Sequence, residues 1–200
     1  MYNANVSYRP LRSVHRIACL LLLVALFVTT SCGDADNEYA STRCYFFFDN
    51  SKYQDITLQA SLNPLSPGTF CKITERTEGS RRFVYFDNNQ GQSSHKELVG
   101  DDTYRTFVLG VYNKTGIIVG FGNLSSPAIL YVYDSQCPNC YNETHTLAHN
   151  LSINDRGYAT CATCKREYDM NNRGITTSGK PLMRYRGTTT GPLGVLSVSN

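Results

Sequence analysis

Two Cys-x-x-Cys pairs near the C-terminus constrain this chain more than any other feature. They are Cys137-Pro138-Asn139-Cys140 and Cys161-Ala162-Thr163-Cys164, with twenty residues between them. A Cys-x-x-Cys turn can direct both sulfurs at one point. Two such turns face to face supply the four soft donors of a tetrahedral site for zinc or iron. Any fold that uses them must bring residues 137–140 and 161–164 together. The same thiols admit other fates. Disulfides within or between the pairs are one. A thioredoxin-like pair is another, but it wants a helix start in a βαβ setting, and neither pair shows a helical pattern after it.

The N-terminus sets the compartment in which those thiols are read. Arg9, Arg12 and Arg16 precede an apolar run over residues 17–28, too short for a comfortable membrane span. Thr29, Thr30 and Ser31 lead to Cys32. Residues 1–31 therefore read as a secretory signal peptide. A small residue directly before a Cys resembles a bacterial lipoprotein signal, and that resemblance implies lipidation of Cys32 and anchoring to a membrane through lipid. The other reading is a plain secretory signal with Cys32 as an ordinary cysteine. Residues 32–42 follow as an expected flexible tether with acidic Asp34, Asp36 and Glu38. Acidic residues in this place resemble the surface-export signals of Bacteroidetes lipoproteins, so the expected location is the bacterial outer membrane or the cell surface. Three of the 19 Lys+Arg lie in the leader, so a chain without it carries 16 against 16 Asp+Glu. No basic run remains, which argues against a nucleic-acid partner.

Export places the remaining cysteines where disulfides are the usual fate. Cys44 and Cys71 are the couple left outside the two pairs, and they are expected either to bond to each other or to sit as buried free thiols. The rest of the chain reads as all-β. It has 14 Tyr, 9 Phe and no Trp, and short β-rich runs alternate with Gly, Asn and Asp. Strands are expected at 43–48, 68–73, 82–86, 117–121, 129–134, 158–160, 182–185 and 194–198. Turns are expected at 87–91, 171–174 and 178–181. Residues 53–62 suggest one short helix, and 98–111 is either a short helix or a strand. A single domain over 43–200 would carry metal loops at 135–142 and 159–168.

The C-terminal half resembles a Rieske-type iron–sulfur domain. The strand Ile129-Leu130-Tyr131-Val132-Tyr133-Asp134 runs into Cys137-Pro138, like the strand that feeds the first cluster loop of that family. Cys161-Ala162-Thr163-Cys164, followed by Tyr168-Asp169, looks like the second loop, and Gly179 to Tyr185 echoes the closing segment. The resemblance covers residues 116–200 well and 43–115 loosely. It implies Rieske-like antiparallel sheets with a small zinc-ribbon-like metal-binding subdomain, and it is similar overall to the small Rieske-like lipoproteins of Bacteroidetes. One departure bears on the cofactor. The family uses two Cys and two His, whereas here Cys164 stands where a His is expected, and Asn139 and Cys140 replace the other. A 2Fe–2S cluster on four thiolates would be ferredoxin-like and low in potential. A single zinc or a mononuclear iron suits the same donors. The leader has no twin-Arg pair for export of a folded iron–sulfur protein, which favours zinc. A redox partner is expected only if iron is bound.

The other polar and aromatic residues read more plainly. His145 and His149 lie four apart and would share a helix face, but they are expected as exposed residues of an insertion. His95 is expected in a polar loop. Tyr141, Tyr168 and Tyr185 either shield the metal loops or pack in an ordinary core, the second being favoured. Asp134 and Asp169 are expected to accept backbone N–H bonds in turns. No nucleophile elbow, phosphate loop or His-Glu-x-x-His occurs, and a closed four-thiolate site has no open position, so the sequence does not support an enzyme. Two functions follow: a metal-stabilised structural or binding module, or a membrane-anchored electron carrier.

Overall fold

Strand β5 (Ile117–Phe121) is apolar and buried at every position because it lies between two cores. The computed structural model describes residues 38–112, 115–144 and 148–200, with the side chains of 142–144 excepted. The chain divides into the units Met1–Glu38 and Tyr39–Asn200, and of the first only Glu38 is among the described residues. The leader, Cys32, most of the tether and His145 lie outside the described residues.

All strand pairs among the described residues are antiparallel. The largest sheet has the order β4-β3-β2-β5-β6, formed by β2 (Phe70–Glu78), β3 (Arg81–Asn88), β4 (Ser93–Glu97), β5 and β6 (Leu130–Asp134). Side chains alternate across a sheet, and this sheet uses both faces. Cys71, Ile73, Val84, Phe86, Ile117, Val119 and Val132 point into one core, and Phe70, Ile118, Tyr131 and Tyr133 point into the other. A strand buried on both faces reads as a continuous apolar run, which is why β5 is so clear in the sequence. Gly120 of β5 sits against β2 so closely that a Cβ would lie 2.3 Å from the Thr69 carbonyl oxygen.

A second sheet closes the first core. It joins the two ends of the domain in the order β1-β11-β10, with β1 (Tyr45–Asp49), β10 (Arg186–Thr189) and β11 (Val195–Ser199). Phe46, Phe48, Leu196 and Val198 face inward, and Phe48 meets Phe86 edge-on at 5.1 Å across the two sheets. The third sheet, β7-β8-β9, is formed by β7 (Leu151–Ile153), β8 (Tyr158–Cys161) and β9 (Glu167–Asp169). It supplies Leu151, Ala159, Cys161 and Tyr168 to the second core, beside Met170 and Leu182.

Several expectations are revised. The helix over 53–62 is two helices, α1 (Asn50–Tyr53) and α2 (Ile56–Ser61). Gln54 at φ 48° ends the first, and the Asp55 carboxylate starts the second by accepting the Leu58 N–H at 2.9 Å. Residues 98–111 form a 3-10 turn at Gly100–Tyr104 and then an extended run bridged only at Tyr45–Val108. Residues 182–185 lie along β6 but form a single bridge, Tyr133–Arg184, and the strand β10 begins after them. His95 is in β4 rather than a loop, stacked on Tyr85 at 5.2 Å. At the expected tether's end, the Ala40 N–H bonds the Arg184 carbonyl at 2.8 Å, so this part is tied to the domain. Cys44 and Cys71 are free thiols, both buried. They have different surroundings: Cys44 lies by Gly110 and Asp134, and Cys71 by Ser61 and Asp55. Burial pushes the Cys44 thiol up to about 12 and raises Cys71 well above the ordinary range, so both are inert at neutral pH.

Candidate metal centre

The second layer exists to hold two turns. Cys137 ends the link from β6 and opens α3 (Pro138–Thr144). Pro138 suits the first helical position, where its missing N–H is not needed, and the Cys137 carbonyl accepts the Tyr141 N–H at 3.0 Å. The sequence shows no helical pattern here because the helix is seven residues long and mostly polar. Its presence does not make a thioredoxin-like pair, because the described strands are all antiparallel and both sulfurs face the other turn. The second turn is a hairpin between β8 and β9. The Cys161 N–H bonds the Arg166 carbonyl at 3.0 Å, and the Lys165 N–H bonds the Cys161 carbonyl at 2.9 Å.

The four sulfurs converge. Each Sγ of Cys137, Cys140, Cys161 and Cys164 lies within 4.8 Å of the others. Two of the four edges that cross between the turns, Cys137–Cys164 and Cys140–Cys161, are both 3.7 Å. A tetrahedron with metal–sulfur bonds of 2.3 Å has edges of about 3.8 Å. The four cysteines are thus positioned to bind one metal ion. Cys137, Cys140 and Cys161 are buried, and Cys164 is partly open.

The thiols differ in acidity because their neighbours differ. Burial raises Cys137 and Cys140, with the Tyr168 hydroxyl opposing it at Cys137. At Cys164 burial pushes the same way, but the backbone and side chain of Arg166 overcome it, and the thiol falls to about 6. Cys164 is therefore favoured as a thiolate at neutral pH, whereas burial favours the protonated form of Cys137 and Cys140.

The sequence reading missed the role of Asn139, and it weighed Tyr168 only as a shield of the metal loops or as core packing, not as a hydrogen-bond partner of a sulfur. The Tyr168 hydroxyl lies 3.1 Å from Cys137 Sγ. The Asn139 side chain donates to that hydroxyl at 2.9 Å, donates to the Lys180 carbonyl at 2.9 Å, and accepts the Lys180 N–H at 2.9 Å. This leaves the Tyr168 proton to the sulfur. Gly179, at φ 93°, allows the close approach, since a Cβ there would lie 2.3 Å from Asn139 Oδ1. The signal was available in the pairing. Tyr168 is opposite Ala159 in β8, so it shares a face with Cys161, two residues on. Partners behind a metal ligand hold its orientation and tune its basicity, and their loss typically costs 10–100-fold in affinity. Tyr168→Phe is expected to weaken metal binding about tenfold in a chelator competition assay; an unchanged affinity would reduce the hydroxyl to packing.

The other candidates divide. Asp134 does accept backbone N–H bonds, from Gln136 at 2.7 Å and Val111 at 2.6 Å. It is fully buried, and burial raises its carboxyl above the usual range against those bonds. Tyr185 donates to Asp134 at 2.6 Å, away from the sulfurs. Asp169 accepts the Asn171 N–H at 3.0 Å. Tyr141 meets Tyr112 edge-on at 5.9 Å. His149 is half-buried rather than exposed and ties the two turns together. Its carbonyl accepts the Cys137 N–H at 2.9 Å, and its Nδ1 lies 2.9 Å from Thr163 Oγ1.

Lys165 holds φ at 60°, in the left-handed region that a side chain disfavours by about 1–2 kcal/mol. Lys165→Gly is expected to stabilise the domain by about 0.5 kcal/mol after the extra freedom of glycine in the unfolded chain is counted. Chemical denaturation of the metal-loaded protein checks this, and a loss of stability would contradict it.

Compared with family models, curated proteins and solved structures, the chain matches none. The resemblance to Rieske-type domains therefore rests on the residues quoted for it. Among the described residues no helix is long and apolar enough to cross a membrane.

Proposed function

We propose that this chain is an exported, lipid-anchored module of Rieske-like β architecture whose second layer is held together by one zinc ion on Cys137, Cys140, Cys161 and Cys164. The observation that carries this reading is the sulfur spacing, 3.7 Å on two of the four crossing edges and no more than 4.8 Å on any edge. That spacing fits one tetrahedral ion. A two-iron cluster places two thiolates on each iron and holds the pairs apart by the irons between them, so the same spacing speaks against it. The order of elements supports the resemblance: β6 feeds the first turn, β7 and β8 lead to the second, and β9 carries the Tyr168-Asp169 pair.

Four thiolates leave zinc no open position for water or substrate, so its contribution is to folding rather than catalysis. The chain's own residues do the rest. α3 and the β8–β9 hairpin aim the thiols, Tyr168 fixes the Cys137 sulfur, and the partly open Cys164 is the accessible side of the site. A mononuclear iron fits the same tetrahedron and would support the electron-carrier reading. Metal analysis with a visible spectrum separates the two: zinc gives no colour, and iron on four thiolates does.

A further inference from the structure

The metal turn also builds one wall of a cleft. Outside the sulfurs, a hollow of about 700 Å³ lies against the outer face of the β8–β9 hairpin and the segment 175–178. That volume suits a small molecule. Arg156, Lys165 and Arg166 line it. Among the described residues, neither Arg156 nor Lys165 forms an ion pair. Arg156 instead lies 5.8 Å over the Tyr158 ring, on the cleft wall. Thr176, Thr177 and Ser178 line the same cleft, although the Thr176 hydroxyl oxygen is itself buried. Two carboxylates are present. Asp169 is engaged by the Asn171 N–H, and Glu167 is exposed. Three cations therefore stand against two carboxylates among the lining residues, an excess of one positive charge.

We propose that this cleft binds a small molecule through a phosphate or carboxylate group held by Arg156, Lys165 and Arg166. Guanidinium groups match the geometry of such oxyanions, and a compact ammonium adds a point charge. The proposal rests on the metal reading, because two of its cations are presented by the turn that the metal pins. Lys165 and Arg166 follow Cys164 directly, and their backbone bonds close on Cys161. The Arg166 side chain reaches Cys164 on one side and the cleft on the other. Metal and anion sites are thereby coupled, and the coupling is reciprocal: whatever factor the metal contributes to anion affinity, the anion returns to metal affinity.

The test is a titration of the purified, metal-loaded chain with inorganic phosphate, followed by amide NMR shifts. Saturable binding is expected, with the largest shifts at residues 156–158, 165–167 and 175–178. Arg156→Gln and Lys165→Gln are each expected to weaken it about fivefold, the scale of one exposed charge contact. Arg81→Gln, on the distant β2–β3 hairpin, should leave it unchanged. No saturation by about 10 mM phosphate, or equal weakening by Arg81→Gln, overturns the proposal. Repeating the titration after chelation separates the two readings. Loss of binding with the metal supports both. Binding of unchanged strength after chelation keeps the cleft and overturns its coupling to the metal. A zinc-loaded chain that ignores phosphate keeps the metal and removes the cleft.

Discussion

Removing the metal is expected to melt the β7–β8–β9 layer while the sandwich of the other two sheets stays folded. The layer has little of its own to hold it. Its strands are three, four and three residues long, and short strands without a large apolar face are marginal in water. Its core includes Cys137, Cys140 and Cys161, three of the four donors that an ion would join. Structural zinc on peptide ligands is worth about 10–16 kcal/mol of apparent binding energy at neutral pH, and that energy is available to folding. Chelation should therefore destabilise the layer by several kcal/mol. Hydrogen exchange would show it as lost protection over residues 151–169, with Ile117 and Val119 still protected. Cys161→Ser should do the same without chelator. Cys71→Ser would act differently, through the first core, because Cys71 is a packed thiol and not a donor. Equal protection with and without chelator would contradict a structural metal.

Metal affinity should also fall steeply with acid. Bound thiols must be deprotonated, so binding releases the protons that the free site holds. Burial keeps Cys137 and Cys140 protonated at neutral pH, whereas Cys164 has already lost its proton there. At least two protons leave on binding, so affinity should drop by at least about 100-fold for each pH unit between 8 and 6.5. Below about 6 the slope steepens, as Cys164 also takes up a proton. Competition with a chelator of known proton linkage measures this. A slope of one proton or fewer would mean that the thiols are already ionised. The metal-free protein should show the opposite halves of the same chemistry. Cys164 is depressed in the fold, so its contribution is full above the unfolded thiol value of 9.0 and is lost as pH falls through about 6. Cys137 and Cys140 are raised, so their contribution is full below 9.0 and is lost as pH rises above it.

The parts of this fold with strong local signals were legible in the chain. Ile117–Phe121 could be bounded to the residue because both its faces are buried. The four cysteines were found from spacing alone, because geometry leaves little freedom to two Cys-x-x-Cys turns. Ser93–Glu97 and Glu167–Asp169 escaped because they are polar strands, defined by their partners rather than by their own pattern. Asp55 split a helix that looked continuous, since a capping carboxylate is visible only as one more polar residue in a window. Asn139, and the hydrogen-bonding role of Tyr168 as distinct from its expected packing, escaped for a different reason. Their role depends on residues 29 and 41 positions away, Tyr168 for Asn139 and Lys180 for its other bonds, and no local pattern carries that. The cleft beside Lys165 is likewise a product of three separate segments.

The central claim is one metal ion on four thiolates, and the most direct measurement is the metal and sulfide content of the chain purified without added metal and with oxygen excluded, read with its visible spectrum. One zinc per chain, no acid-labile sulfide and no colour are the predicted result, with Cys137, Cys140, Cys161 and Cys164 unreactive to a thiol reagent until a chelator is added. Two irons with matching sulfide and a red-brown spectrum would contradict the single-ion site, and a metal-free chain with these four cysteines in disulfides would contradict the metal itself.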